Sequence, residues 1–253
     1  MKRRIDQLLV ERGLAESRQK AQALLLAGSI LVGQQKIEKA GHLVDSEAEI
    51  RMLRQLPFAS RAGAKLQSAL EYFRISVEDR VCADLGASTG GFTDCLLQNG
   101  AREVHAFDVG KGQLAWKLRS DPRVVVRDKC NVRNLTAADL PQNLTFVSVD
   151  LSFISVTKVL PSLKESFILK SENCLDVVIL VKPQFEVGKG EVGKGGIVRD
   201  PGKRAEALAS VEEFASQAGY KVIGAMLSPL PGTKGNWEFL LYLQALKGLI
   251  SLS

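Results

Sequence analysis

From residue 81 onward the chain alternates short, wholly apolar runs with longer segments whose apolar residues recur every three or four positions. The runs predict strands near Val81–Asp84, Val104–Asp108, Val124–Arg127, Phe146–Asp150, Val177–Val181, Lys221–Leu227 and Phe239–Leu243. The longer segments predict helices near Gly63–Phe73, Gly91–Gln98, Val156–Ile168 and Pro201–Ala218. Strands alternating with helices imply an α/β domain on a mostly parallel sheet, covered on both faces, with ligands at the C-terminal strand ends.

Residues 1–52 carry a different pattern. Ile5, Leu8 and Leu9 share one helical face, and Gly13 stops that helix. Ser17 is placed to cap a second helix with Ala21, Leu24 and Leu25 inward and Gly28 at its end. Ile30-Leu31-Val32 reads as a strand, Gly33-Gln34-Gln35 as a turn and Lys36-Ile37 as its partner. Leu43-Val44 and Ile50-Met52 add two short apolar pieces. Pro57, in Arg54-Gln-Leu-Pro57-Phe, marks a linker, so we expect domains at 1–56 and 57–253. Arg3, Arg4, Arg18 and Lys20 fall on the polar sides of the two predicted helices, where they face solvent or phosphates.

The totals narrow the function classes. A chain of 253 residues can bury one full core and carry a small extra module. No apolar run has the length of a membrane span, and no h-region follows the basic Met1-Lys-Arg-Arg, so a cytoplasmic protein is expected. Four scattered cysteines without a C-x-x-C pair, and only two histidines, leave no metal-ligand spacing. The net charge of +6 favours a polyanionic partner. Residues 1–60 hold 10 Lys+Arg against 7 Asp+Glu, and the other 193 hold 24 against 21, so the excess is denser at the N-terminus.

The candidate chemistry starts at Asp84-Leu-Gly-Ala-Ser-Thr-Gly-Gly-Phe-Thr93, a glycine-rich turn between an apolar strand and a helix. Such a turn lets backbone N–H groups approach a ligand. Asp108, about 20 residues on at the end of the next strand, is placed to accept hydrogen bonds from a ribose. A dinucleotide fingerprint would read G-x-G-x-x-G, but Ser88 stands where the pyrophosphate glycine belongs. A dinucleotide, a methyl donor and a turn without a ligand all stay open at this point. A second stretch, Gly188-Lys-Gly-Glu-Val-Gly193-Lys194, fits G-x-x-x-x-G-K, yet Gly195 replaces the Ser or Thr that would hold magnesium. It reads as a mobile basic loop: a lid over the donor, a phosphate contact, or simply solvated.

The first loop resembles motif I of Rossmann-like S-adenosylmethionine-dependent methyltransferases, carried by Asp84, Gly86 and Gly90 with Asp108 as the ribose-binding acid. The resemblance implies S-adenosylmethionine as cofactor, held by Asp84, Gly86, Ala87, Ser88, Thr89, Gly90, Gly91, Phe92 and Asp108. Asn131 and Asp150 would join them, with Asp128 a weaker candidate near the adenine. Arg4-Ile-Asp6, Gly13-Leu14, Ser17-Arg18, Ala21 and Gly28-x-Ile30-x-Val32 resemble the α+β S4-like RNA-binding module, although Gly33-Gln34 replaces the Asn-Gly often seen at that turn.

Lys65, Asp150, Lys182 and Glu238 stand at a helix start and at strand ends, and in that order match the Lys-Asp-Lys-Glu tetrad of FtsJ-like ribose 2′-O-methyltransferases. With Ser60-Arg61-Ala-Gly-Ala-Lys65, Asp150-Leu-Ser-Phe153 and Val181-Lys-Pro-Gln-Phe-Glu186, the whole chain resembles the TlyA (hemolysin A) family of rRNA methyltransferases. That resemblance implies 2′-O-methylation of a ribosomal RNA nucleotide, typically cytidine. Ribosomal RNA or a ribosomal subunit would be the partner, without membrane or metal; oligomeric state stays open.

A ribose hydroxyl is a weak acid, so its methylation calls for a base with a pKa near neutrality, which a lysine crowded by cations can supply. Lys182 is the expected base and Lys65 the group that tunes it and orients the acceptor; Asp150 and Glu238 would fix the two ammonium groups. Trp237 is a candidate to stack on a base. None of the four cysteines follows a proline, so a cysteine route to pyrimidine C5 is not expected. A base-nitrogen methyltransferase would show two prolines after Asp150, where Leu151 and Ser152 stand. A non-enzymatic RNA-binding assembly factor is the remaining alternative.

Overall fold

The computed structural model describes residues 2–26, 29–52, 57–168, 174–188, 190–232 and 234–245. The chain divides into two compact units, Met1–Leu56 and Pro57–Ser253.

In the first unit, β1 (Lys2–Arg4) leads into α1 (Ile5–Glu11) and α2 (Arg18–Leu26). These are followed by β2 (Ile30–Val32), β3 (Gln35–Lys36), β4 (Leu43–Asp45) and β5 (Ile50–Met52). Strands β3-β2-β5 form one small sheet, and β1 pairs with β4 in another. Ile5, Leu9, Ala21, Leu25 and Ile30 are fully buried in one small core. Ser17 caps α2 by accepting from Lys20 N–H at 3.2 Å. Gly28, the expected stop of that helix, lies outside the described residues. Arg3 and Arg4 correct the sequence reading: they sit in β1, not on a helix, with Arg3 opposite Val44 and Arg4 opposite Leu43. A polar three-residue strand leaves no hydrophobic period to detect.

The second unit is a seven-stranded sheet. Its strands are β6 (Val81–Leu85), β7 (Glu103–Asp108), β8 (Val124–Asp128), β9 (Leu144–Val149), β10 (Leu175–Val181), β11 (Tyr220–Leu227) and β12 (Phe239–Ala245), in the order β11-β12-β10-β9-β6-β7-β8. Five strands run parallel; β12 is antiparallel to both β10 and β11. The order reverses between β6 and β9, the switch point at which such sheets open a crevice.

Helices α3 (Arg61–Phe73) and α4 (Gly91–Gln98) cover one face, burying Leu66, Leu70, Phe92 and Leu96 against Cys82, Phe146 and Val178. Helices α6 (Leu160–Ile168) and α8 (Pro201–Gln217) cover the other, burying Leu163, Phe167 and Val211 against Leu85, Val177 and Ile179. Successive residues of β10 therefore serve different cores, which is why its sequence is apolar without interruption. Two four-residue helices, α5 (Trp116–Arg119) and α7 (Pro183–Glu186), were not anticipated, because one turn is too short to show a period.

Candidate active site

The strand directions bring the tetrad to one edge. Asp150 and Lys182 directly follow the parallel strands β9 and β10, while Glu238 directly precedes the antiparallel β12. Lys65 arrives from α3, whose Ser60 cap accepts from Ala62 N–H at 3.3 Å. Helices α3 and α4 touch at Gly63 and Gly91, where an added Cβ on Gly63 would lie 2.7 Å from the Gly91 carbonyl. That close approach carries Lys65 onto the sheet edge.

The four side chains form two ion pairs. Lys65 Nζ meets Glu238 Oε2 at 2.5 Å, and both side chains are buried, 8% and 3% exposed. Lys182 Nζ lies 2.6 Å from Asp150 Oδ1, with side chains 12% and 19% exposed. The second contact is an ion pair without hydrogen-bond alignment: Asp150 Oδ1 receives no donor, and the Lys182 ammonium instead donates to Ser152 Oγ at 2.9 Å. Lys182 and Glu238 both line a cleft of about 300 Å3.

The glycine-rich loop joins this edge. Asp150 N–H donates to Leu85 O at 2.9 Å, so the ends of β6 and β9 are tied. Gly86 has φ +91° and Gly90, the residue before α4, has φ +96°. Four of the loop's N–H groups are already engaged. Gly86 and Ala87 donate to Phe107 O at 2.9 and 3.0 Å, Gly90 to Ala87 O at 2.8 Å, and Ser88 to Asp108 Oδ2 at 2.8 Å. The expected approach of those N–H groups to a ligand is thus corrected: they close the turn. A pyrophosphate needs free donors, so this arrangement disfavours a dinucleotide and suits a donor without phosphates.

Asp108 also accepts from Gly110 N–H at 2.7 Å. As an acceptor-only carboxylate it keeps lone pairs for the hydroxyls of a ribose, so the residues present fit the nucleoside part of S-adenosylmethionine.

The other predicted ligand residues differ in their surroundings. Phe92 is buried in the core, and Gly91 faces Ser60 Oγ, which a Cβ would meet at 2.2 Å. Asp128 is taken up by Arg119 at 2.6 Å and by Gly112 N–H. Asn131 is exposed and caps a 3-10 turn through Arg133 N–H at 3.1 Å. Ser88 and Thr89 are exposed at the loop's tip.

Asp84 lies beneath the loop, fully buried, accepting from Thr93 Oγ1 at 2.7 Å and Ser148 Oγ at 3.0 Å. Burial pushes its carboxyl up to about 7, against the two hydroxyls that favour the anion. Between pH 4 and 7 the folded chain therefore holds a proton that the unfolded chain has lost. This contribution to stability is complete below about pH 4 and is lost as pH rises through 7, a change on the order of 4 kcal/mol. Asp84→Asn should flatten that slope. In urea titrations at pH 5.5 and 8, the wild type should lose about 2 kcal/mol more than the variant; equal losses would remove Asp84 as the cause.

One feature escaped the sequence. Phe153 is 89% exposed at φ +65° and packs on Phe185 at 5.3 Å, so the cleft's aromatic lining is this pair. Trp237, the anticipated stacking residue, is not part of that lining although Asn236 and Glu238 on either side are. A bulky residue at positive φ is a signal that only coordinates reveal. The loop 188–197 borders this same cleft through Val192 and Gly196, with no strand-to-helix turn around it.

In the first unit, fully buried Asp6 binds Arg4 through two contacts of 3.0 Å and Arg18 at 2.8 Å. The Arg4 guanidinium, helped by Arg18, holds that carboxyl well below the usual range despite burial. Arg3 pairs with Glu11 at 2.5 Å, and Lys20 is exposed.

Comparison with known proteins fits this geometry. Residues 58–245 match the FtsJ-like methyltransferase family and residues 3–50 the S4 domain. The chain belongs to the FtsJ-like methyltransferases. Within them it is 46% identical to the 16S/23S rRNA (cytidine-2′-O)-methyltransferase TlyA of Mycobacterium tuberculosis, across 95% of this chain and 89% of that protein. It is 42% identical to Hemolysin A of Brachyspira hyodysenteriae, across 94% and 98%. A solved structure from Streptococcus thermophilus that carries the hemolysin name superposes with a TM-score of 0.73 at 40% identity, covering 97% of this chain and 89% of that one. This FtsJ-like enzyme thus falls in the TlyA group. Among its described residues no helix is long and apolar enough to cross a membrane, and no group of metal-binding side chains is found.

Proposed function

We propose that this chain is a cytoplasmic S-adenosylmethionine-dependent methyltransferase that 2′-O-methylates a cytidine of ribosomal RNA. One observation carries the reading: two lysine–carboxylate pairs share a sheet edge with the glycine-rich loop, and Lys182 and Glu238 open into a nucleotide-sized cleft. When bound, S-adenosylmethionine supplies an activated methyl group on a sulfonium. Gly86, Ala87, Ser88, Thr89, Gly90 and Asp108 would hold it, with Asp84 bracing the loop from below.

The chain's own residues then have to seat the hydroxyl and accept its proton. As the free amine, Lys182 Nζ accepts it; Asp150, 2.6 Å away, keeps that nitrogen at the edge. Lys65, fixed by Glu238, orients the acceptor oxygen. In the S4 unit, Asp6 presents Arg4 and Arg18 together as phosphate contacts, with Arg3 and Lys20 beside them.

The test is methyl transfer from labelled S-adenosylmethionine to isolated ribosomal subunits, followed by mapping of the modified position. Label on a cytidine 2′-oxygen is expected. Label on a base nitrogen, or RNA binding without transfer, would replace this reading by the corresponding alternative.

A further inference from the structure

The glycine-rich loop 188–197 has no part in the chemistry above, yet it forms one wall of the cleft. Among its described residues the secondary structure is a single bridge, Gly193 with Ile197. Gly190, Gly195 and Gly196 all have positive φ, with nothing within 4 Å of an added Cβ. Side chains tie the loop to its surroundings: Lys203 pairs with Glu191 at 3.1 Å, and Asn236 holds the other end. Asn236, 3% exposed, donates from Nδ2 to Gly196 O at 2.8 Å and accepts at Oδ1 from the buried Val198 N–H at 2.9 Å. Its backbone carbonyl accepts from Gly232 N–H at 2.8 Å. Gly232 in turn stands so close to Glu238 that an added Cβ would lie 2.4 Å from Oε1. One residue joins the glycine-rich wall to the turn that carries Glu238.

We infer that Asn236 is a positioning residue for the acceptor: by clasping the 188–197 loop it sets the width of the cleft that receives the RNA nucleotide, without touching the proton in transit. The inference rests on the acceptor being an RNA nucleotide, as proposed above. At about 300 Å3 the cleft is at the small end of ligand sites, so a modest shift of one wall decides whether a nucleotide seats. Removing the Asn236 amide strands the buried Val198 N–H and releases the loop.

The experiment uses the full chain with ribosomal subunits as substrate and measures KM, kcat and, separately, S-adenosylmethionine binding. Asn236→Ala should raise the KM for RNA about tenfold or more, with kcat and donor affinity within about twofold. A second variant, with Gly195 and Gly196 both replaced by alanine, strains the loop from its own side and should reproduce the KM rise. Unchanged KM in both variants overturns the inference. So does a loss of donor affinity and kcat in Asn236→Ala with a normal KM in the glycine pair, the pattern of a general folding defect. A wild type that transfers no methyl to RNA would instead defeat the proposed function, and this inference with it.

Discussion

Lys182→Ala is expected to lower methyl transfer by about a thousandfold or more while donor affinity stays within about twofold. The lysine sits on the acceptor side of the edge, in contact with Asp150 and Ser152. Those partners lie outside the glycine-rich loop and Asp108, so the donor cradle should survive its removal. Lys182→Arg sharpens the test. Arginine keeps the positive charge beside Asp150 but does not give up its proton at any usable pH. If Lys182 acts as the base, both variants are inactive and both bind S-adenosylmethionine. An active arginine variant would leave Lys182 a purely electrostatic role.

Much of this site was legible in sequence because it hangs on strand ends. The apolar runs marked where β6, β9 and β10 stop, and polar residues at those stops meet at one edge because these strands are parallel; Glu238, at the start of β12, reaches the same edge because β12 runs antiparallel. The sheet order, with β12 inserted antiparallel between β10 and β11, could not be read from pattern. What periodicity cannot carry also stayed hidden. A one-turn helix such as α5 or α7, the polar strand Lys2–Arg4 and the burial of Gly91 and Phe92 under α3 all depend on tertiary contacts. The glycine-rich loop shows the limit best. Its residues were identified, but the reason for the glycines differs: the N–H groups close the turn on Phe107 and Asp108, and the missing side chains admit neighbouring backbone and core residues.

That difference makes Gly86→Ala the second large effect. At φ +91° an alanine is strained wherever it is placed, at a cost of about 1–3 kcal/mol. Here it also collides: its Cβ would lie 2.4 Å from the Asp150 carbonyl oxygen and 3.0 Å from its carbon. Backbone cannot swing aside as a side-chain tip can, so the ends of β6 and β9 must part. The donor loop and the Asp150–Lys182 pair then move together. Donor affinity should fall by about 30-fold or more, with turnover falling further because Asp150 is displaced as well. Gly90→Ala provides the comparison. It carries similar backbone strain at φ +96°, but its Cβ meets the methyl ends of Leu118 and Leu114, at 2.2 and 2.7 Å. Leucine side chains can repack, and neither touches Asp150. Titration of S-adenosylmethionine into the two variants, with turnover measured in parallel, should therefore find Gly86→Ala worse on both counts. If Gly90→Ala lowers turnover at saturating donor as much as Gly86→Ala does, the contact between Gly86 and Asp150 does not couple the donor loop to the acceptor base.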